Sequence, residues 1–179
     1  VGDASPSIIL DACAAPGNKT SHLAALAPNA RVLALDRDPD RFSLLEARLR
    51  LAGASNVEAR LDDFLTIDPR DYPVTAILLD PSCSGSGTLD LPARKDRDRL
   101  ERLAGFQLKA LVRALTAFPE VTRVTYSTCS VYDEENENVV ADALSQAPDF
   151  QLHVALPSWP RRGRAHPRLT LQQSNNLVR

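Results

Sequence analysis

The sequence has no methionine, a single tryptophan and only seven glycines among its 179 residues, and aromatic residues make up 5% of it. No apolar run reaches the roughly 18 residues that a membrane-spanning helix needs, so we expect no membrane partner. The chain begins at Val1 without the features of a signal peptide. The absence of methionine indicates a piece of a longer chain. A hydrophobic content of 44% is ordinary for a soluble globular domain.

Cysteine is also scarce, with only Cys13, Cys83 and Cys129 in the chain and no Cys-x-x-Cys pair. An odd number at wide spacing fits neither a disulfide framework nor a zinc site, and His153 and His166 are isolated, so we assign no metal. Unpaired cysteines favour a reducing compartment. Any one of the three could be a small buried core residue.

Phosphate-binding glycine motifs are missing as well. The first loop contains Gly17 alone, whereas a dinucleotide pyrophosphate needs several glycines, so the sequence disfavours NAD. Lys19-Thr20 is similar to the end of a nucleotide-binding loop, but Asn18 and Cys13 replace its glycines, which disfavours ATP. A cofactor with an adenosine and no phosphates fits better, and the sulfonium and ammonium of S-adenosylmethionine suit acidic residues at strand ends.

Apolar runs alternate with segments of helical spacing. The runs predict strands at residues 7–10, 31–35, 56–61, 74–79 and 121–126, with a possible sixth at 150–155. The spacing predicts helices at 19–27, 38–52, 103–118 and 134–147. This alternation predicts a mostly parallel sheet with helices on both faces. We expect a core at residues 1–156 and an irregular basic tail at 157–179.

Acidic residues follow three of the predicted strands, at Asp11, Asp36 and Asp80. Ligands of open α/β sheets bind outside the carboxyl ends of the strands, so this edge is the expected site. Asp36 lies 19 residues after Gly17, where an acid typically accepts hydrogen bonds from a nucleotide ribose. For Asp11, Asp36 or Asp63, simple helix capping remains an alternative.

The two later cysteines occupy equivalent positions after neighbouring strands. Cys83 lies three residues past Asp80, and Cys129 lies three residues past Tyr126. Adjacent parallel strands are roughly 4.8 Å apart, so we expect both thiols in one crevice. One thiolate could attack an electron-poor ring carbon and activate its neighbour for methylation, a route that C5 of cytosine needs. The residues alone leave open which thiol attacks, and two buried core thiols remain the alternative.

Three motifs carry a family resemblance: Asp11-Ala-Cys-Ala-Ala-Pro-Gly-Asn-Lys-Thr20, Asp80-Pro-Ser-Cys-Ser-Gly-Ser-Gly87, and Tyr126-Ser-Thr-Cys-Ser130 followed by Glu135-Asn136-Glu137. In order and spacing, the chain resembles the Nop/Sun family of RNA cytosine-5 methyltransferases over roughly residues 7 to 160. The second motif is most similar to the member-five branch, which is associated with large-subunit ribosomal RNA. The resemblance implies a Rossmann-like S-adenosylmethionine-dependent fold. It also implies a closing strand pair that residues 172–176 lack, so either the sheet edge is incomplete or the tail diverges from the family.

The resemblance implies a role for each matching residue. Cys129 would attack C6 of cytosine, Cys83 would assist product release, Asp80 would bond the base edge, and Lys19 would contact the base. For the cofactor, Asp36 would hold the ribose and Asp63 would lie near the adenine. The loop of Cys13, Ala14, Ala15, Pro16, Gly17 and Asn18 would wrap the methionine end, with Asp11, Lys19, Arg41 and Asp80 also in the cofactor set. Asn18 and Ser82 depart from the family pattern.

The net charge of −2 means that RNA must bind through a local patch. Two stretches qualify: a charged segment with Arg94, Lys95, Arg97, Arg99 and Arg102, and the basic tail, which also has Trp159. We expect a monomer that acts on RNA, in the nucleus or nucleolus if eukaryotic and otherwise in the cytoplasm. An RNA-binding scaffold with little catalysis and a small-molecule methyltransferase are the alternatives.

Overall fold

The computed structural model describes residues 8–88 and 96–177. The chain forms two compact units. The first comprises Val1–Pro81 and Thr116–Ser127, and the second comprises Ser82–Leu115 and Thr128–Arg179. None of the helices in the described ranges is both long and apolar enough to cross a membrane.

The first unit contains a five-stranded, fully parallel sheet. Its strands are β1 (Ile8–Asp11), β2 (Arg31–Asp36), β3 (Val57–Leu61), β4 (Ala76–Leu79) and β5 (Arg123–Tyr126). Their order across the sheet is β3-β2-β1-β4-β5, so the direction of winding reverses between β1 and β4. Such a reversal is where open α/β sheets bind ligands. The arrangement confirms the predicted parallel, Rossmann-like sheet.

The apolar runs form strands because the sheet interior excludes water from them. Leu10, Val32 and Leu35 are fully buried, and Ile77 is 2% exposed. Strands buried on both faces read as continuous apolar runs, and β1 and β2 have this pattern. The edge strands β3 and β5 contain charged residues and no buried residue. Burial of this kind stabilises by roughly 25 cal/mol per Å² of apolar surface.

Helices α1 (Asn18–Leu26) and α2 (Pro39–Leu51) complete the regular structure around β1 to β3. Asp38 caps α2, since its side chain accepts hydrogen bonds from two backbone N–H groups of the first turn. Leu45 and Leu49 are buried against the loop after β1. The helix ends at Leu51, one residue earlier than predicted, and Ala52 is exposed.

The second unit is helical. Helix α3 (Arg97–Thr116) begins six residues earlier than predicted, because the charged segment before residue 103 forms its first turns. The segment predicted as one helix at 134–147 is a 3₁₀ turn at Asp133–Glu135 followed by α4 (Glu137–Gln146). A short helix, α5 (Leu171–Asn176), lies near the end of the described chain.

The predicted sixth strand at 150–155 is wrong, since no described residue there belongs to a strand. The backbone pairs with the tail instead: the Ala155 N–H donates to the carbonyl oxygen of Asn176 at 3.1 Å. The Asn176 side chain donates to the Leu152 carbonyl oxygen at 2.9 Å. The apolar alternation therefore did not reflect a sheet face, and Val154 is 55% exposed.

The tail predicted as irregular contains α5, which begins with a capping box between Thr170 and Gln173. One arginine organises the chain before it. The Arg162 guanidinium donates to the carbonyl oxygens of Ala155 (3.0 Å), Leu156 (3.1 Å), Trp159 (3.2 Å) and Asn175 (2.8 Å). The tail is thus held by hydrogen bonds that sequence periodicity does not report. The division of the chain at residue 156 remains a prediction.

We predict that Arg162→Lys loosens this tail, because an ammonium group lacks the planar fork that reaches four carbonyls. The expected cost is roughly 1–2 kcal/mol in the local stability of the segment from 155 to 177. Amide hydrogen exchange across that segment measures it. Arg161→Lys, at the neighbouring exposed arginine, is the matched control. Equal exchange in the two variants would contradict the role of Arg162.

Candidate active site

Three carboxylates meet the same edge of the sheet in the first unit. Asp11 ends β1, Asp36 ends β2, and Asp80 directly follows β4. Because β1 lies between β2 and β4 and all pairs are parallel, these three strand ends are neighbours. The structure therefore brings together the acidic residues that the sequence placed at the carboxyl edge.

Asp36 holds the loop that follows β1. Its Oδ2 accepts a hydrogen bond from the Ala15 backbone N–H at 3.1 Å, and its Oδ1 accepts from the Asp38 N–H at 3.0 Å. A carboxylate has about four acceptor positions, so two remain for hydroxyls of a ribose. The ribose assignment remains a prediction, and the bond to Ala15 has no counterpart in any local sequence pattern.

Arg41 braces the same loop from α2. Its Nη2 donates to the Ala15 carbonyl oxygen at 2.6 Å and lies 3.7 Å from Oδ2 of Asp36. The backbone N–H and C=O of Ala15 are therefore both held, one by Asp36 and one by Arg41. Arg41, assigned to the cofactor set from the sequence, shapes the loop in this structure.

Asp11 is the most deeply buried acid of the edge, with 1% of its surface exposed. Its Oδ2 accepts a hydrogen bond from the Thr20 hydroxyl at 2.7 Å, whereas Oδ1 is buried and has no hydrogen-bond partner among the described residues. Burial raises the pKa of Asp11 to about 6, against the opposing effect of Thr20. A buried acceptor without a donor is suited to a ligand's ammonium or hydroxyl group.

The loop from Cys13 to Asn18 is fixed by backbone pairing and by one glycine. The Ala14 N–H donates to the Leu35 carbonyl oxygen at 2.8 Å, which extends the contact with β2. Gly17 has φ +99°, and a Cβ there would lie 3.0 Å from Cδ1 of Leu45. Asn18, the departure from the family pattern, is exposed as the first residue of α1 and leaves this geometry undisturbed.

Cys13 is not a candidate nucleophile. Burial, with the nearby carboxylates of Asp11 and Asp36, raises the pKa of its thiol to about 12. The thiolate is the reactive form of cysteine, so Cys13 is inert at neutral pH. This agrees with its placement in the cofactor loop rather than among the catalytic residues.

Asp80 is oriented by two side chains of the first unit. Its Oδ2 is 2.6 Å from Nζ of Lys19, and its Oδ1 accepts from the Ser127 hydroxyl at 2.7 Å. The Lys19 side chain is 52% exposed, so the ion pair adds little stability. Instead, the ion pair orients the Asp80 carboxylate at the point where the strand order reverses. Ser127 was not identified from the sequence as a partner of Asp80.

Asp63 lies in the turn after β3 and mainly supports that turn. Its Oδ1 accepts a hydrogen bond from the Leu65 N–H at 2.9 Å, and its Oδ2 is 3.5 Å from Nη1 of Arg37. The turn follows β3, which pairs with β2, and Asp36 is the last residue of β2. The assignment of Asp63 to the adenine remains a prediction, and local capping accounts for the contacts seen.

The two predicted catalytic thiols meet in the second unit. The Sγ atoms of Cys83 and Cys129 are 3.1 Å apart, which confirms that the two loops converge. Cys129 is exposed, whereas Cys83 is partly buried. Burial and the hydrogen bond with Cys129 raise the pKa of Cys83 to about 11. Cys83 therefore keeps its proton at neutral pH.

Both thiol loops are held by short polar contacts. The Gly87 N–H donates to the Cys129 carbonyl oxygen at 2.8 Å, and a Cβ at Gly87 would lie 2.9 Å from that oxygen. The hydroxyl oxygens of Ser84, Ser86 and Ser130 lie 3.1 to 3.2 Å from one another. Glycine is thus required at position 87, and the serines join the two loops.

Sequence reasoning missed two residues behind these loops. Gln107 and Glu135 are both fully buried and hydrogen-bonded to each other at 2.9 Å. The available signal was a glutamine beside apolar residues of α3, between Phe106 and Ala110. A buried polar side chain on such a face needs a partner.

The tail arginines are mostly engaged in structural contacts. Arg162 binds four carbonyls, Arg164 lies 3.3 Å from Oδ1 of Asp133, and Arg168 pairs with Asp142. Arg179 lies outside the described residues, as do Arg94 and Lys95 of the other patch. The exposed arginines of that patch that the structure describes, Arg97, Arg99 and Arg102, lie on the first turns of α3. This helix is the better candidate for an RNA contact.

Comparison with known proteins decides the family. A sequence profile described as "16S rRNA methyltransferase RsmB/F" matches residues 3–162. The chain belongs to this family. It is 47% identical over 174 residues to the Arabidopsis thaliana protein named 25S rRNA (cytosine-C(5))-methyltransferase NSUN5, with 87% of this chain and 30% of that protein covered. It is 46% identical to the Mus musculus 28S rRNA (cytosine-C(5))-methyltransferase, covering 88% of this chain and 36% of that protein.

Solved structures agree with the family assignment. A methyltransferase homologue from Pyrococcus horikoshii matches with a TM-score of 0.76 and 31% identity, covering 96% of this chain and 56% of that one. The NSun6 of Pyrococcus horikoshii with SFG matches with a TM-score of 0.67 and 29% identity, covering 78% and 37%. The chain spans about a third of the length of the curated relatives named above. The resemblance drawn from the three motifs is confirmed.

We predict that Asp11→Asn removes a pH-dependent loss of stability. The folded-state pKa of Asp11 is raised from 3.8 to about 6, so its contribution to stability is present below pH 4 and is lost as pH rises through 6. Asparagine has no such titration. The free energy of unfolding of Asp11→Asn relative to the unsubstituted protein should therefore increase by up to about 3 kcal/mol between pH 4 and pH 7.

Chemical denaturation at a series of pH values measures this difference in unfolding free energy. The contributions of the other titrating groups cancel because both proteins contain them. Asp38→Asn is the control, because the Asp38 carboxylate caps an exposed helix start. Parallel stability curves for Asp11→Asn and the unsubstituted protein would contradict the raised pKa.

Proposed function

We propose that the protein containing this chain transfers a methyl group from S-adenosylmethionine to C5 of a cytosine in ribosomal RNA. The observation that carries the proposal is the pair of thiols 3.1 Å apart, one exposed and one partly buried. Family membership and the names of the relatives, which are large-subunit rRNA cytosine methyltransferases, support the same reaction.

The carboxyl edge of the sheet has the acceptors that the cofactor needs. The unpartnered Oδ1 of Asp11 is suited to the ammonium group, and the remaining acceptor positions of Asp36 are suited to the ribose hydroxyls. When bound, S-adenosylmethionine supplies an electrophilic methyl group. The loop around Ala15, held by Asp36 and Arg41, shapes the surface against which it binds. The related NSun6 of Pyrococcus horikoshii was solved with SFG, which is consistent with this class of ligand.

Cys129 is the attacking thiol because it is exposed, whereas Cys83 is partly buried. Its sulfur forms a bond to C6 of cytosine, and the electron pair of the C5–C6 double bond moves onto C5. C5 would then form a bond to the methyl carbon while the bond from that carbon to the sulfonium sulfur breaks, which leaves the demethylated cofactor as a neutral thioether. Loss of the C5 proton restores the double bond and expels the Cys129 thiolate.

Cys83 is suited to act after Cys129 has reacted. Burial is the main cause of the rise in its pKa, and the hydrogen bond with Cys129 adds to it. A Cys129 sulfur bonded to carbon has no proton to donate, so this second contribution is smaller in the adduct. Deprotonated Cys83, whose sulfur lies 3.1 Å from that of Cys129, can then accept the C5 proton.

The relatives' names point to ribosomal RNA of the large subunit, which supports a nucleolar location if the protein is eukaryotic. We also propose that the exposed arginines at the start of α3 contact the RNA backbone. We expect the affinity for RNA to fall as the salt concentration rises. This dependence should become shallower when Arg97 and Arg99 are neutralised.

We predict opposite effects of the two cysteine substitutions in the full-length protein. Cys129→Ala should abolish methyl transfer, because the variant lacks the sulfur that forms the bond to C6. It should leave cofactor binding intact. Cys83→Ala should slow release and accumulate a covalent protein–RNA complex. Transfer of radiolabelled methyl groups and denaturing gel electrophoresis measure the two effects. Undiminished turnover in Cys129→Ala would contradict the proposal, and tight RNA binding without any methyl transfer in the unsubstituted protein would favour an RNA-binding scaffold.

A further inference from the structure

Two buried polar side chains bracket Cys83. Gln107 donates a hydrogen bond from Nε2 to the carbonyl oxygen of Ser82, the residue before Cys83, at 3.0 Å. Oε1 of Glu135 accepts from the backbone N–H of Ser84, the residue after Cys83, at 2.9 Å. The same Oε1 accepts from Nε2 of Gln107 at 2.9 Å, so the two contacts form one unit. Both peptide groups that flank Cys83 are thereby fixed.

Asn136, the residue after Glu135, contacts the residues on both sides of Cys129. Oδ1 of Asn136 accepts a hydrogen bond from the hydroxyl of Thr128 at 2.7 Å. Nδ2 of Asn136 donates to the carbonyl oxygen of Ser130 at 3.0 Å. Thr128 and Ser130 are the residues directly before and after Cys129. The loop is closed further by the Ser130 N–H, which donates to the Thr128 hydroxyl at 3.1 Å.

We propose that the consecutive residues Glu135 and Asn136 are positioning residues that set the separation of the two thiols. Glu135 faces the Cys83 loop and Asn136 faces the Cys129 loop. They are joined by one peptide bond at the junction between the 3₁₀ turn and α4. A rigid connection between the two loops therefore runs through two adjacent residues.

The burial of Glu135 supports a positioning role. The side chain is 0% exposed, as is its partner Gln107. Placing a carboxylate in the protein interior is costly even when it is hydrogen-bonded, and apolar residues of similar size often stabilise such a position as well or better. Stability alone does not explain this pair. Directional hydrogen bonds fix atoms within a fraction of an ångström, which thiol chemistry between two side chains requires.

The consequences for catalysis rest on the proposed function and differ for the two residues. Loss of the Glu135 contact should displace Cys83 and slow release of the product. Loss of the Asn136 contacts should displace Cys129 and slow formation of the adduct. A residue that merely stabilised the fold would lower both steps together. The kinetic step that is affected therefore separates positioning from general stability.

The experiment compares four variants of the full-length protein: Glu135→Leu, Glu135→Gln, Asn136→Asp and the control Gln146→Leu, which removes an exposed glutamine from α4. Glutamine at 135 keeps an oxygen that can accept from Ser84 and Gln107, so it is the conservative replacement. Aspartate at 136 keeps the acceptor for Thr128 but loses the donor to Ser130. Thermal denaturation establishes that each variant is folded.

Thiol separation is measured with phenylarsine oxide, whose arsenic bonds two nearby thiols with release of one water molecule. We expect the dissociation constant to rise roughly tenfold in Glu135→Leu and Asn136→Asp, as loss of about one hydrogen bond implies. Glu135→Gln and Gln146→Leu should bind as the unsubstituted protein does. Cys83→Ser lacks one of the two thiols, so it measures how much phenylarsine oxide binds at other positions. If Glu135→Leu fails to fold, Gln107→Leu releases the same loop from the Ser82 side.

Single-turnover kinetics with RNA then resolve the two steps. The expected result is accumulated adduct in Glu135→Leu and slow adduct formation in Asn136→Asp. Unchanged arsenical binding in both folded variants, or an equal loss of both steps, would overturn the proposal. The arsenical measurement uses neither RNA nor cofactor. Altered arsenical binding in a protein inert on cytosine would therefore refute the proposed function and leave the positioning role intact.

Discussion

The position of β1 between β2 and β4 is the constraint from which the cofactor region follows. Parallel pairing on both sides of β1 aligns the carboxyl ends of three strands, and each of those ends carries an aspartate. The backbone after β1 continues the pairing, since the Ala12 N–H donates to the Leu78 carbonyl oxygen and the Ala14 N–H donates to that of Leu35. The loop is therefore fixed from both neighbouring strands before any side chain contributes. Asp36 and Arg41 then hold its path at Ala15.

A different principle holds the thiol loops. Around Cys83 and Cys129 the contacts are hydroxyl, amide and carboxylate hydrogen bonds rather than apolar packing. Such bonds contribute only about 1 kcal/mol each to stability, but an unsatisfied buried group costs more, so the loops have few alternative arrangements. Burial, together with the hydrogen bond between the two sulfur atoms that the loops bring close, raises the pKa of Cys83. The contacts that hold the loops therefore influence both the position of the thiols and the proton affinity of Cys83.

Much of this could be predicted from the sequence where local signals and tertiary structure agree. Buried parallel strands are continuous apolar runs, and Asp38 followed by Pro39 marks a helix start from local chemistry alone. The meeting of Cys83 and Cys129 was predicted because both follow closely after the ends of neighbouring strands. These features depend on short stretches of chain and on the regular geometry of a sheet.

The features that were missed depend on residues far apart in the sequence. The predicted strand at 150–155 failed because Asn176, more than twenty residues later, takes up its backbone groups. The tail arginines were interpreted as a nucleic-acid patch, yet the carbonyls that bind Arg162 are determined only by the fold. Gln107 and Glu135 are 28 residues apart, and nothing local marks them as partners. Hydrogen-bond networks of this kind have no periodicity from which to predict them.

If Cys129 forms a covalent bond to the cytosine ring, identifying the residue that carries the nucleotide is the most direct test. RNA containing 5-fluorocytosine at the target position blocks loss of the C5 substituent, so the adduct persists. Peptide mapping by mass spectrometry after incubation of the full-length protein with this RNA and S-adenosylmethionine locates the bond. The account predicts that the nucleotide is attached to Cys129. Attachment to Cys83, or methylated RNA with no attached cysteine, would contradict it.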